Sequence, residues 1–191
     1  MILAVAASFA RLDFAPGWQT TNENLIELVD LFTDETIDWT PREGEWSARL
    51  ILSHIIGARY NGPIPTSQDI AHYQDGSLYA NCRTREGIKQ EFRISWEMLA
   101  HFLSDEAKLD AVYKVPANSE SGGDRRAPPL LGSVERAKAG MDLGYVDQPE
   151  QYTGHYIAYH RFAHDLHHRS TLIGYMSQLG VSLDGRRIRP L

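Results

Sequence analysis

Apolar residues recur at helical spacing in four stretches of this chain, and the pattern lapses between them. After the polar opening Gly17 to Asn24, the residues Leu25, Ile26, Leu28, Val29, Leu31 and Phe32 predict a helix from Trp18 to Phe32. Thr33-Asp34-Glu35 and Thr40-Pro41-Arg42 follow as turn chemistry. A second helix is predicted from Trp46 to Arg59, closed by Asn61-Gly62-Pro63. A third opens at Thr84, with Glu86 and Gly87 behind it. It takes its apolar faces from Phe92, Ile94, Trp96, Met98, Leu99 and Phe102, up to Leu103. The last runs from Gln151 to Leu179, and Gly180 stands where a left-handed cap is expected.

The connections are uneven. Ile64 to Asn81 is rich in Pro, Ser, Asp and Gly, with a short helical turn expected around Ser67 to Tyr73. From Ser104 to Gly154 the periodicity dissolves; Asn118 to Asp124 is the most linker-like part, and a short helix is expected near Val134 to Ala139. No internal repeat and no convincing alternating strand is visible. Four amphipathic helices bury their stripes most simply as a bundle, so the expectation is an all-α four-helix bundle forming one domain over residues 1–191. Its long loops fall between helices two and three and between helices three and four.

Composition narrows the class. The chain has 191 residues, 42% of them hydrophobic and 23% charged, the balance of a soluble globular protein. A net charge of -6 argues against nucleic-acid binding, which depends on clustered Lys and Arg; the basic tail Arg186 to Arg189 is too small a patch to reverse this. Met1 to Ala10 is apolar but short and lacks the basic opening of a secretory signal, so it reads as an arm or lead-in. No apolar run approaches the ~18 residues of a membrane span. The single cysteine, Cys82, rules out an internal disulfide; it reads as an incidental thiol, with a catalytic nucleophile as the alternative. A cytoplasmic protein is expected.

The histidines supply the candidate chemistry. Five of the eight lie on the last predicted helix: His155, His160, His164, His167 and His168. The row Ile157, Arg161, His164, His168, Leu172, Tyr175, Leu179 keeps one largely apolar face, so His164 and His168 are expected to point inward, one turn apart. His160 and His167 share a face with Thr153, Thr171, Gly174 and Gln178, which is expected to meet solvent. Tyr159, Phe162, Leu166, Ile173 and Met176 form a second apolar row. On the second helix, His54 lies within the stripe Trp46, Leu50, His54, Gly57, Asn61. A buried imidazole must be hydrogen-bonded or coordinated. Three inward imidazoles from two helices can meet that demand together by holding one divalent metal at His54, His164 and His168, and three protein ligands leave a position open.

These same residues carry a family resemblance. Trp46-Ser47-Ala48 through His54-Ile55-Ile56 resembles the second-helix signature of the DinB/YfiT-like family. His164-Asp165-Leu166-His167-His168-Arg169, continuing to Tyr175-Met176 and Leu179-Gly180, resembles its last-helix signature, H-x-x-x-H-R with a leucine-rich end and a glycine. The resemblance implies a DinB-like bundle with up-down-down-up connectivity and a metal, nickel or zinc, on His54, His164 and His168. It also implies frequent homodimers, and members that act as metal-dependent hydrolases or as S-transferases using low-molecular-weight thiols. Where the family often continues H-R with Gly-Gln, this chain has Ser170-Thr171, and the segment from Asp105 to Tyr152 is longer than the resemblance suggests.

Two functions are therefore expected. The first is an enzyme whose metal activates water or a small thiol, with Trp46, Tyr60 and Tyr175 lining a pocket and the Asp105–Tyr152 segment closing over it. The other is a non-catalytic, stress-associated metal-binding or scaffold protein. No general base stands out: Glu45 and Asp165 are near the ligands in sequence, and Asp165 reads as a surface charge. Arg169 reads as structural, capping carbonyls or pairing a carboxylate.

Overall fold

The computed structural model describes residues 15–60, 76–115 and 150–183, and Ile188. Its elements are α1 (Ala15–Leu31), α2 (Ala48–Tyr60), α3 (Ser77–Asn81), α4 (Arg85–Leu103), α5 (Glu106–Asp110), β1 (Val112–Val115), β2 (Glu150–Thr153) and α6 (Gly154–Gln178). The four predicted helices are α1, α2, α4 and α6, each within a few residues of its expected bounds. The turn expected at Ser67 to Tyr73, the helix expected near Val134 to Ala139, the Asn118–Asp124 stretch and the Met1–Ala10 arm lie outside the described residues.

Local chemistry sets the helix ends. Thr84 caps α4 by accepting from the Gly87 amide at 3.0 Å, with Glu86 in the first turn where the helix dipole favours an acid. Thr153 caps α6 by accepting from the Tyr156 amide at 3.2 Å. At the far end Gly180 has φ of 72°, the Val181 amide donates to the Met176 carbonyl at 2.9 Å, and the Gly180 amide donates to the Ser177 carbonyl at 3.1 Å. This is the Schellman arrangement, and it fulfils the expected left-handed stop. After α1, the Thr33 amide donates to the Thr36 hydroxyl at 2.8 Å and the Thr36 amide donates to the Thr33 hydroxyl at 3.2 Å, which turns the chain toward Ile37.

Side-chain contacts fix the helix directions. Trp18 meets Asp165, and further along both helices Asn24 meets Arg169, so α1 and α6 run the same way. Arg49 reaches the Arg83 carbonyl and Arg59 reaches Ser95, so α2 and α4 run the same way. Lys89 pairs with Asp30 while Trp96 packs edge-on against Trp18, so α1 and α4 are antiparallel. The bundle is therefore up-down-down-up, with α1 and α2 each packed against both α4 and α6.

Two apolar clusters fill the bundle. One gathers Leu25, Leu28, Phe32, Leu52, Ile55, Ile56, Phe92, Leu172 and Met176 with their neighbours; the other gathers Trp18, Leu99, Phe102, Ile157 and Ala158. Each fully buried Leu, Ile or Phe contributes about 1.5–3 kcal/mol. Between the clusters lies a buried polar layer of Asn22, Asn24, Arg59, Ser95, Asp165 and Arg169.

Three departures from the sequence reading concern the ends of the bundle. β1 and β2 pair antiparallel, Val112 opposite Thr153 and Val115 opposite Glu150, where no strand was expected. Four residues per strand are too few to print a period of two on the sequence. Ile188, assigned to a surface tail, is buried and joins the larger cluster. Tyr159, assigned to an apolar row, is instead 53% exposed, as is Tyr156 on the same face at 47%.

Candidate metal centre

α2 and α6 pack antiparallel, which brings the midpoint of one against the midpoint of the other. His54 on α2 then faces His164 and His168 on α6, the one-turn pair that helical geometry aligns. One ligand atom from each of the three lies within 4.8 Å of the others. Ring centroids are 4.9 Å apart for His54–His164 and for His54–His168, and 4.5 Å for His164–His168. Nε2 of His164 and Nε2 of His54 stand 3.0 Å apart. All three side chains are half-buried. His160 and His167 are exposed, as their polar row predicts.

The electrostatics suit a cation. Burial, reinforced by the neighbouring His164, lowers His54 to about 4. Burial, reinforced by His164 and His54, lowers His168 to about 3. Both rings are thus neutral near pH 7 and carry free lone pairs, the state a metal requires. Two nitrogens on a tetrahedral ion at about 2.0–2.1 Å stand about 3.3 Å apart, close to the His54–His164 spacing. Three imidazoles form a donor set suited to zinc, nickel or copper. The residues fit a divalent metal.

The surroundings are partly as expected. Trp46 stands edge-on to His54 at 4.9 Å and stacks along His168 at 6.4 Å, so it forms an aromatic wall of the centre. Tyr175 acts on that wall indirectly: its hydroxyl donates to the Trp46 carbonyl at 2.8 Å and ties the entry of α2 to α6. Tyr60, expected in the pocket lining, is buried in the larger core cluster. Glu45 is exposed and pairs loosely with Arg42 at 3.9 Å. Cys82 closes α3 with its thiol buried; burial pushes it up to about 12, which removes it as a nucleophile.

The largest correction is Asp165. It is not a surface charge: its side chain is 1% exposed and forms an ion pair with Arg59, itself 0% exposed. Asp165 Oδ2 accepts from Arg59 Nε at 3.0 Å, Arg59 Nη2 at 2.8 Å and Trp18 Nε1 at 2.8 Å. Arg59 Nη1 donates to Asn22 Oδ1 at 2.7 Å and to Ser95 Oγ at 3.0 Å, and the guanidinium lies 5.1 Å from the Phe92 ring centre. Burial alone raises the Asp165 carboxyl, but the Arg59 charge and the groups around it outweigh burial and hold it below the usual carboxylate range. Its other oxygen, Oδ1, faces Nδ1 of His164 at 3.5 Å. A signal was present in the sequence. Arg59 stands three and four residues after Ile56 and Ile55, and Asp165 stands seven before Leu172 and seven after Ala158, so both charges sit on buried stripes. Arg169 is buried and donates to the side-chain amide oxygen of Asn24 at 3.0 Å.

No family model matches the chain, and no curated protein matches it. Among solved structures, the crystal structure of a DinB-like protein, YjoA of Bacillus subtilis, superposes with a TM-score of 0.53 over 90% of this chain and 94% of that one, at 15% identity. No described helix is long and apolar enough to cross a membrane. The chain has the all-α DinB-like fold, and three histidines able to hold a metal ion stand at its centre.

Proposed function

We propose that this protein is a metal-dependent enzyme in which His54, His164 and His168 hold one divalent ion, nickel or zinc. The convergence of three ligand atoms within 4.8 Å from two different helices carries this reading. Among the described residues three ligands rather than four converge, which leaves a coordination position for substrate. When bound, the ion supplies a Lewis acid that lets water or a small thiol lose its proton near neutral pH. Around it, Trp46 offers an aromatic face to the apolar part of a substrate.

The described residues favour a thiol over water. Hydrolysis calls for a free carboxylate or imidazole to relay the proton. Asp165 is engaged by Arg59 and Trp18, and Glu45 is exposed beside Arg42. A thiol is far more acidic than water, so beside a bound ion it would release its proton to solvent without such a relay. S-transfer of a low-molecular-weight thiol to an electrophile is therefore the preferred reaction, with hydrolysis of a small ester or amide behind it. The lack of a free carboxylate beside the centre among the described residues supports the second reading, a non-catalytic stress-associated metal-binding or scaffold protein. The proposal extends to a homodimer in the cytoplasm that binds neither nucleic acid nor membrane; sedimentation of the purified chain tests the dimer.

The deciding assay uses protein reconstituted with zinc or nickel, beside His168→Ala. It is offered a thiol with a chromogenic electrophile, and separately a panel of activated esters. Turnover of the thiol pair that disappears in the variant supports S-transfer. Turnover of esters alone moves the reading to hydrolysis. No turnover by fully loaded protein would reject the enzyme and leave the scaffold.

A further inference from the structure

We propose that Asp165 is a positioning residue for the three-histidine centre: its Oδ1 holds the His164 proton on Nδ1 and thereby turns the Nε2 lone pair toward the ion. This inference rests on the metal reading above and extends it to a residue that touches no ligand position.

The geometry separates the two ends of one carboxylate. Oδ2 is saturated by three donors, two from Arg59 and one from Trp18. Those donors come from α1 and α2, so the carboxylate on α6 is held by two other helices and cannot swing. Oδ1 is left facing His164 Nδ1 at 3.5 Å. That ring nitrogen is buried and makes no hydrogen bond within the described residues. On the other side of the same ring, Nε2 points at His54 Nε2. A neutral imidazole carries one proton, and the ring nitrogen facing a carboxylate is where that proton is most stable. With the proton on Nδ1, Nε2 is a pure acceptor and joins the ligand set. With the proton on Nε2, the nitrogen nearest His54 is blocked. A carboxylate behind a ligating histidine fixes its tautomer and ring orientation, and losing it weakens metal binding about 10–100-fold.

Arg59 completes the device. Its two hydrogen bonds to Oδ2 fix the carboxylate so that Oδ1 stays turned toward the His164 ring. The buried pair thus has a function at the centre beyond holding the two helices together, which explains why a costly charge pair sits where apolar residues would pack.

The test reads the tautomer directly. Long-range proton–nitrogen correlation spectra of the histidine side chains are recorded on the full chain after chelator treatment, at neutral pH. The expected result is His164 protonated at Nδ1 in wild type and shifted toward Nε2 or a mixture in Asp165→Asn. The variant should also bind zinc about 10–100-fold more weakly by chelator competition, with an unchanged helical spectrum. His164 protonated at Nε2 in wild type would overturn the inference. So would a folded Asp165→Asn with unchanged tautomer and zinc affinity. If Asp165→Asn does not fold, the wild-type tautomer alone decides. The wild-type zinc titration is separate: its failure would reject the metal reading, whereas the tautomer speaks only to Asp165.

Discussion

Arg59→Met removes the cation from the buried pair while keeping most of the side chain's apolar bulk. The loss can be worked from the structure. Asp165, at 1% exposure, would keep the Trp18 donor at Oδ2 and the His164 ring facing Oδ1, and Asn22 and Ser95 would each lose a bond to Arg59 Nη1. Breaking a buried ion pair from one side costs about 3–5 kcal/mol, because it strands a charge in the interior. That is a large part of the about 5–15 kcal/mol that holds a domain folded. For a chain of this size it corresponds to a fall in melting temperature of about 6–20 °C. Urea denaturation followed by helical circular dichroism measures it. Replacing both partners, in Arg59→Met with Asp165→Leu, should restore part of the loss, since no charge is then stranded. A single Arg59→Met variant within about 0.5 kcal/mol of wild type would refute the reasoning, because surface substitutions behave that way and buried charges do not.

Three further outcomes are expected. His54 and His168 are held neutral by burial, down to about 4 and about 3, whereas an unfolded histidine titrates near 6.5. The metal-free chain should therefore lose stability as pH falls below about 6.5, through about pH 4 for His54 and about pH 3 for His168, with no contribution from either above that window. By about pH 5 one such imidazole costs about 2 kcal/mol, and a flat urea midpoint between about pH 7 and pH 5 would contradict it. Gly154→Ala should destabilise by about 1–3 kcal/mol in thermal melts, because a Cβ there would run into the Lys108 carbonyl and Leu109 of α5; an unchanged melt would mean that α5 is not seated on α6. Cys82 should resist a thiol reagent in the native chain and react once the chain is unfolded; fast native labelling would contradict its burial.

The legible parts of the molecule were those governed by local spacing. Leu25, Leu28 and Phe32, or Leu172 and Met176, repeat at helical intervals and are buried as that repeat requires. His54, His164 and His168 could be assembled without coordinates because each lies on such a stripe and an inward imidazole must find a partner. Gly180 announced its left-handed cap for the same kind of reason, since a glycine at the end of a periodic run has a specific backbone use. What escaped was set by distant partners. Asp165 reads as a solvated charge until Arg59, on another helix, is placed against it. Trp18, which closes the same carboxylate, belongs to a third helix. The β1–β2 pair escaped because its strands are short and widely separated along the chain. Tyr159 misled because an aromatic at helical spacing is usually core, whereas this one is more than half exposed.

Metal content tests the central claim most directly. Elemental analysis of the untagged protein, after reconstitution with zinc and with nickel, is run on wild type, His160→Ala and His164→Ala. A three-histidine centre predicts about one equivalent in wild type and in His160→Ala, and almost none in a folded His164→Ala. Metal retained by His164→Ala, or absent from wild type after reconstitution, would mean that these inward histidines are core residues and not ligands.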